Sequence, residues 1–151
     1  MHFMQELNFP AFSFRIKNKE NKPAIFDEIR KKFVILQPEE WVRQHCIKYL
    51  LNHKNIPASL LNVEKELIFN TLKKRYDIVT FNPDGSLYLI VECKAPTIAI
   101  SQETFNQIAV YNMALSAQYL MVTNGINHYY CQMDFVNKRY IFLKDLPNYS
   151  I

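Results

Sequence analysis

Three stretches constrain this chain more than any others: Lys74–Phe81, the cluster Asn82-Pro83-Asp84-Gly85, and Leu87–Lys94. Two runs rich in β-branched and aromatic residues, separated by four turn formers, read as a β-hairpin. Asp77 lies inside the first run, and Glu92 and Lys94 lie at the end of the second. Burying an unpaired charge costs several kcal/mol, so three ionisable groups in strands this apolar imply a use for them. Alternation along a strand sets Glu92 and Lys94 on one face and Cys93 on the other. On the first strand it sets Arg75, Val79 and Phe81 beside Asp77, with Tyr76, Ile78 and Thr80 opposite. Two carboxylates and one backbone oxygen, that of Cys93, form a donor set suited to magnesium, and Lys94 places a cation beside it. The competing reading is a metal-free ion pair of Asp77 with Lys94 or Arg75.

Asp77, the hairpin and Glu92-x-Lys94 together resemble the active-site signature of the PD-(D/E)xK nuclease superfamily. Gln107-x-x-x-Tyr111 resembles the QxxxY element of several of its branches. Pro38-Glu39-Glu40-Trp41-Val42-Arg43-Gln44 and Thr123-Asn124-Gly125 resemble the N-terminal nuclease domain of type I restriction enzyme R subunits. The likeness runs from about Gln37 to about Tyr130. It implies a restriction-endonuclease-like α/β fold: a mixed central β-sheet flanked by helices, with an additional N-terminal β segment. It also implies metal-dependent hydrolysis of DNA. Asp77, Glu92 and the Cys93 carbonyl would hold magnesium, for which manganese substitutes. Lys94 would orient the attacking water, and Gln107 and Tyr111 would fix Lys94 and the DNA backbone. Glu40 is a further candidate ligand, because a glutamate of the first helix sometimes approaches the metal in the resembled family; its other reading is stabilisation of the helix dipole. The family's optional proline before the aspartate is Tyr76 here.

In the resembled systems a fused helicase-type motor delivers the nuclease domain and another subunit supplies sequence specificity, so a motor and a specificity subunit are the implied partners besides DNA. No Walker-type Gly-rich loop occurs in this sequence. Three classes therefore stay open. They are a nuclease working alone or with a partner, a catalytically weak nucleic-acid-binding module that keeps the fold, and an interaction domain whose metal site is a relic.

A chain of 151 residues, 49% of them hydrophobic, fits one core. We expect residues 1–36 to form an arm with short β segments packed on a nuclease-like domain of residues 37–151. The net charge of +4 permits a phosphate backbone as partner without requiring one. There is no secretory-signal pattern and no apolar run approaching roughly 18 residues, which points to the cytoplasm and away from the membrane. Cys46, Cys93 and Cys131 sit among apolar residues and are expected as free thiols. No helix-turn-helix or zinc-finger pattern is present, so strong base-specific readout is not expected. The sequence leaves the oligomeric state open.

Periodicity supplies the remaining elements. Phe12–Ile16 reads as a strand entering a charged turn and able to pair with a second at Phe33–Leu36. A helix over Pro38–Asn52 buries Val42, Cys46 and Leu50, with Glu39 and Arg43 paired on its outer surface. Leu61–Phe69 is a strand antiparallel to that of Asp77, with Glu64 and Glu66 in solvent. Ser101 caps a helix over Gln102–Ala117. Tyr119–Val122 then lies parallel to the Glu92 strand, and His128–Met133 with Arg139–Leu143 makes a last hairpin.

Overall fold

The computed structural model describes residues 5–150, apart from the side chain of Leu72. Strands β1 (Ile16–Lys19), β2 (Lys22–Asp27) and β3 (Lys32–Ile35) form a small antiparallel sheet in that order. Helix α1 (Pro38–His53) follows, then a short 3-10 turn at Ala58–Leu60. The main sheet has the order β4 (Leu61–Phe69), β5 (Leu72–Phe81), β6 (Leu87–Cys93), β7 (Tyr119–Thr123), β8 (His128–Asp134), β9 (Arg139–Leu143). Helix α2 (Gln102–Leu115) connects β6 to β7, which pair in parallel, while every other neighbouring pair is antiparallel. This is the expected mixed sheet flanked by helices.

The two helices cover opposite faces of the main sheet. Val42, Cys46, Ile47 and Leu50 of α1 share one apolar cluster with Ile78, Leu89, Val91 and Met121. Phe105, Ile108 and Ala109 of α2 share the other with Val79, Ile90, Leu120 and Val122. Strand β6 is buried from Tyr88 to Cys93 because both of its faces are covered, which is why it reads as a continuous apolar run.

Helix α1 is buried nearly all round. The sheet accounts for one side. On the other, Phe9, Phe12 and Phe14 stack against His45, Trp41 and Tyr49, and the Trp41 indole N–H donates to the Gln5 carbonyl at 2.8 Å. Proline at the first helical position and acids in the first turn start the helix, with no side-chain cap from Gln37. In α2, the Ser101 hydroxyl accepts the Thr104 N–H at 3.1 Å, as an N-cap serine does.

Two local readings need correction. The strands near Ile16 and Phe33 do not pair with each other, since each pairs with β2, which lies between them. Pro23 and the run of charges around it hide β2 in the sequence, because proline supplies no ladder N–H and marks edges more often than centres. The second correction concerns strand alternation. Val63 and Ile78 are cross-strand partners on the α1 face, yet the next partners, Lys65 and Tyr76, leave Tyr76 on the α2 face. Glu64 and Asp77 lie between these pairs outside the register, and Glu64 has a left-handed φ of 53°. The unpaired Glu64–Asp77 step inverts the pleat without adding a residue to either strand, so Tyr76 shares its face with Val79 and Phe81 rather than with Ile78. All three cysteines are free and buried, as expected.

A candidate metal and phosphate site where the strands part

Asp77 stands at the point where pairing between β5 and β6 stops. The ladder runs as far as Ile78 opposite Val91. Beyond it, the Cys93 N–H donates at 2.7 Å to Asp77 Oδ2, so a carboxylate takes a backbone donor where the strands separate. Asp77 Oδ1 accepts from the Arg43 guanidinium at 2.9 Å.

Arg43 is 6% exposed and gathers acids from three elements. Besides Asp77 it meets Glu40 at 3.1 Å, Glu64 at 3.3 Å and Glu39 at 3.8 Å. Glu64 is exposed, as expected, while its carboxylate reaches Arg43, and the Glu39–Arg43 pair is buried at its arginine end. A second arginine extends the chain of contacts. Arg30 meets Glu40 at 3.0 Å and Asp27 at 2.8 Å. Asp27 is fully buried and also accepts the N–H groups of Ile29 and Arg30 and the amide of Gln44 at 2.9 Å. Burial alone would raise the Asp27 pKa, but the Arg30 N–H, the Arg30 guanidinium and Gln44 together hold it below the ordinary value.

Glu40 is consequently engaged by Arg30, Arg43 and Gln44. Glu39 is the acid of that turn whose charge is felt at the hairpin: burial and then the Asp77 carboxylate raise its pKa, against the pull of Arg43 and Lys94.

Glu92 lies on the α2 side, 8% exposed, and its Oε1 is buried without a hydrogen-bond partner. The nearest cation is the Lys74 ammonium, 3.8 Å from that oxygen. Burial, and next the Asp77 carboxylate, push the Glu92 pKa up to about 7, against Lys74 and Lys94, with Glu39 adding to the rise. Folding thus favours the protonated form. The stability this gives is full below pH about 4.5 and is lost as pH rises through about 7. In chelator, Glu92→Gln should therefore gain melting temperature relative to wild type as pH is raised across this interval. Parallel melting curves at several pH values check it, and a constant difference between the two proteins would contradict it.

Lys94 follows the end of β6, half-buried, with its N–H donating to the Thr123 carbonyl at 2.8 Å. It is near enough to pull on the pKa of both Glu39 and Glu92. Gln107 is exposed on α2. Tyr111, 45% exposed, has Lys74 rather than Lys94 over its ring, at 4.9 Å. His128 is structural: its ring nitrogens bond Thr123 Oγ1 and the Asn8 carbonyl, each at 2.6 Å. The turn after β7 needs Gly125, whose φ of 87° is left-handed and where a Cβ would lie 3.0 Å from Leu7.

Asp77, Lys94 and Glu39 all lie close enough to Glu92 to act on its charge, Asp77 from the α1 side, where it meets Arg43, and Glu92 from the α2 side, where it meets Lys74. Arg43 and Lys74 are the residues that sequence reasoning missed. Arg43 carried a signal, since positions 43, 46, 47 and 50 form one helical stripe and the other three are apolar. Among the described residues, no group of three or more His, Cys, Asp or Glu side chains converges as a metal cage. The donor chemistry fits a cation that keeps most of its waters: two carboxylates, one with an unpartnered buried oxygen.

The fold is similar to a fragment structure described as an HsdR subunit of a type I restriction enzyme from Vibrio vulnificus YJ016, with a TM-score of 0.51 and 16% identity. That match covers 74% of this chain and 24% of the other, so the chain spans about a quarter of that neighbour. No curated protein matches. Among the described residues, no helix is long and apolar enough to cross a membrane. Residues 38–147 match the family described as type I restriction enzyme R protein N terminus, and the chain belongs to that family.

Proposed function

We propose that this chain is a magnesium-dependent DNA endonuclease of the PD-(D/E)xK type, hydrolysing phosphodiester bonds as part of a restriction system. The observation that carries the reading is the buried, unpartnered Oε1 of Glu92 beside Asp77 and Lys94, in a chain of a restriction-enzyme family. Asp77, Glu92 and the Cys93 carbonyl would hold the cation, with manganese as a substitute. When bound, the ion supplies Lewis-acid polarisation of the scissile phosphate and acidifies the attacking water. Lys94 orients that water and stabilises charge growing on the phosphate oxygens. Arg43 fixes the Asp77 carboxylate through its guanidinium at 2.9 Å. Glu39 is a better placed additional carboxylate than Glu40, whose oxygens are spoken for by two arginines. Gln107 and Tyr111 contact the DNA backbone, Tyr111 through the neighbourhood of Lys74. A helicase-type motor and a specificity subunit are the proposed partners.

One observation favours a binding module without turnover: both oxygens of Asp77 already accept hydrogen bonds, from Arg43 and from Cys93. Nicking of supercoiled plasmid in magnesium separates the two. The nuclease reading expects cleavage that falls by about 10²–10³ in Lys94→Ala, the range for removing one transition-state donor. Binding to the plasmid with no nicking by the wild type would favour the module.

A further inference from the structure

On the α2 side of Glu92 a cavity of about 280 Å³ opens between β4, β5 and α2. We propose that it binds one unpaired nucleotide of the DNA, the base against the exposed ring of Tyr111 and its phosphate on Lys74. The proposal rests on the nuclease reading of the adjoining site and names the form of substrate it prefers.

The walls are mostly apolar, with Phe69, Tyr76, Val110 and Tyr111 among them, and the charged residues that line the cavity are Lys73 and Lys74. An occupant matched to these walls has a flat apolar body and a negative charge. A nucleotide has both. At this volume the cavity lies near the small end of ligand sites, roughly 300–1,000 Å³, which suits a single base and excludes a duplex.

Its rim is unusually apolar for surface in water: Phe69 is 42% exposed, Tyr111 45% and Val110 70%. Lys74 joins the cavity to the candidate metal site. Its ammonium lies 4.6 Å from the centre of the Tyr76 ring, 4.9 Å from that of Tyr111 and 3.8 Å from Glu92 Oε1. A phosphate on this ammonium would be next to Glu92, which puts the held nucleotide beside the bond to be cut. Substrates with a frayed, bulged or overhanging nucleotide at that position are therefore preferred over intact duplex.

The test is a titration of the full chain, in EDTA, against duplexes carrying 2-aminopurine either paired or in a one-nucleotide bulge. The bulged duplex should bind about tenfold more tightly, the scale of one stacked base, with a change in 2-aminopurine fluorescence. Tyr111→Ala should abolish that preference and Tyr111→Phe should keep it, because the ring rather than the hydroxyl stacks. Lys74→Gln should lower the salt dependence of binding by about one counterion. Equal affinity for the two duplexes, absence of binding to both, or a preference that survives in Tyr111→Ala would overturn the proposal. A cavity made for an apolar side chain of a protein partner would give the first of these. No cleavage occurs in EDTA, so failure here is distinct from failure of the nuclease reading, which would show as intact plasmid in magnesium.

Discussion

Asp77→Asn should reduce magnesium-dependent DNA cleavage by at least about a hundredfold while leaving the chain folded. The separation of the two effects follows from what Asp77 touches. An asparagine oxygen can still accept the Cys93 N–H, so the end of β6 keeps its tether. Arg43 keeps Glu40 at 3.1 Å and Glu64 at 3.3 Å, so its buried guanidinium is not stranded. What is lost is one negative charge beside Glu92, and with it half of the carboxylate pair proposed to hold the cation. Single-turnover cleavage measured alongside thermal melting checks both halves. Cleavage retained at the wild-type rate would remove Asp77 from the chemistry, and unfolding would assign it to structure.

The largest effect on stability is expected far from that pair, at Asp27. Its carboxylate accepts from the N–H groups of Ile29 and Arg30, the Arg30 guanidinium and the Gln44 amide, all between 2.7 and 2.9 Å, in a position with no solvent exposure. Asp27→Ala leaves these buried donors unmet and deprives Arg30 of one of its anions. Removing one partner of a buried pair costs about 3–5 kcal/mol. For a domain of this size that corresponds to a fall in Tm of roughly 10 °C. Urea unfolding monitored by circular dichroism measures it, and a loss below about 1 kcal/mol would show that the network is ornamental. Activity should fall as well, because Arg30 holds Glu40, and Glu40 helps to hold the arginine that aims Asp77.

The framework of the site was legible because it is local. Residues of the β5–β6 hairpin are near in sequence, the Asn82–Gly85 turn has unmistakable composition, and the α2 crossover starts at a capping serine. What could not be read depends on contacts that no period encodes. The inversion of the pleat at Glu64 and Asp77 needs a left-handed residue with no glycine to announce it. Strict alternation therefore put Tyr76 on the wrong face, and with it hid the relation of Lys74 to Glu92. Arg43 looked like a surface partner for Glu39 because helix spacing permits that pair. Only the three-dimensional closure of α1 beneath the hairpin turns it to Asp77. The choice between Glu39 and Glu40 hinges on Arg30, a residue of the β2–β3 connection that nothing in the sequence ties to the helix.

Calorimetric titration of manganese into the wild type and into Asp77→Asn and Glu92→Gln tests the shared cation site most directly. The account predicts saturable binding to the wild type that is lost in both variants, each still folded by melting. Unchanged binding in either variant, or no binding to the wild type, would contradict it.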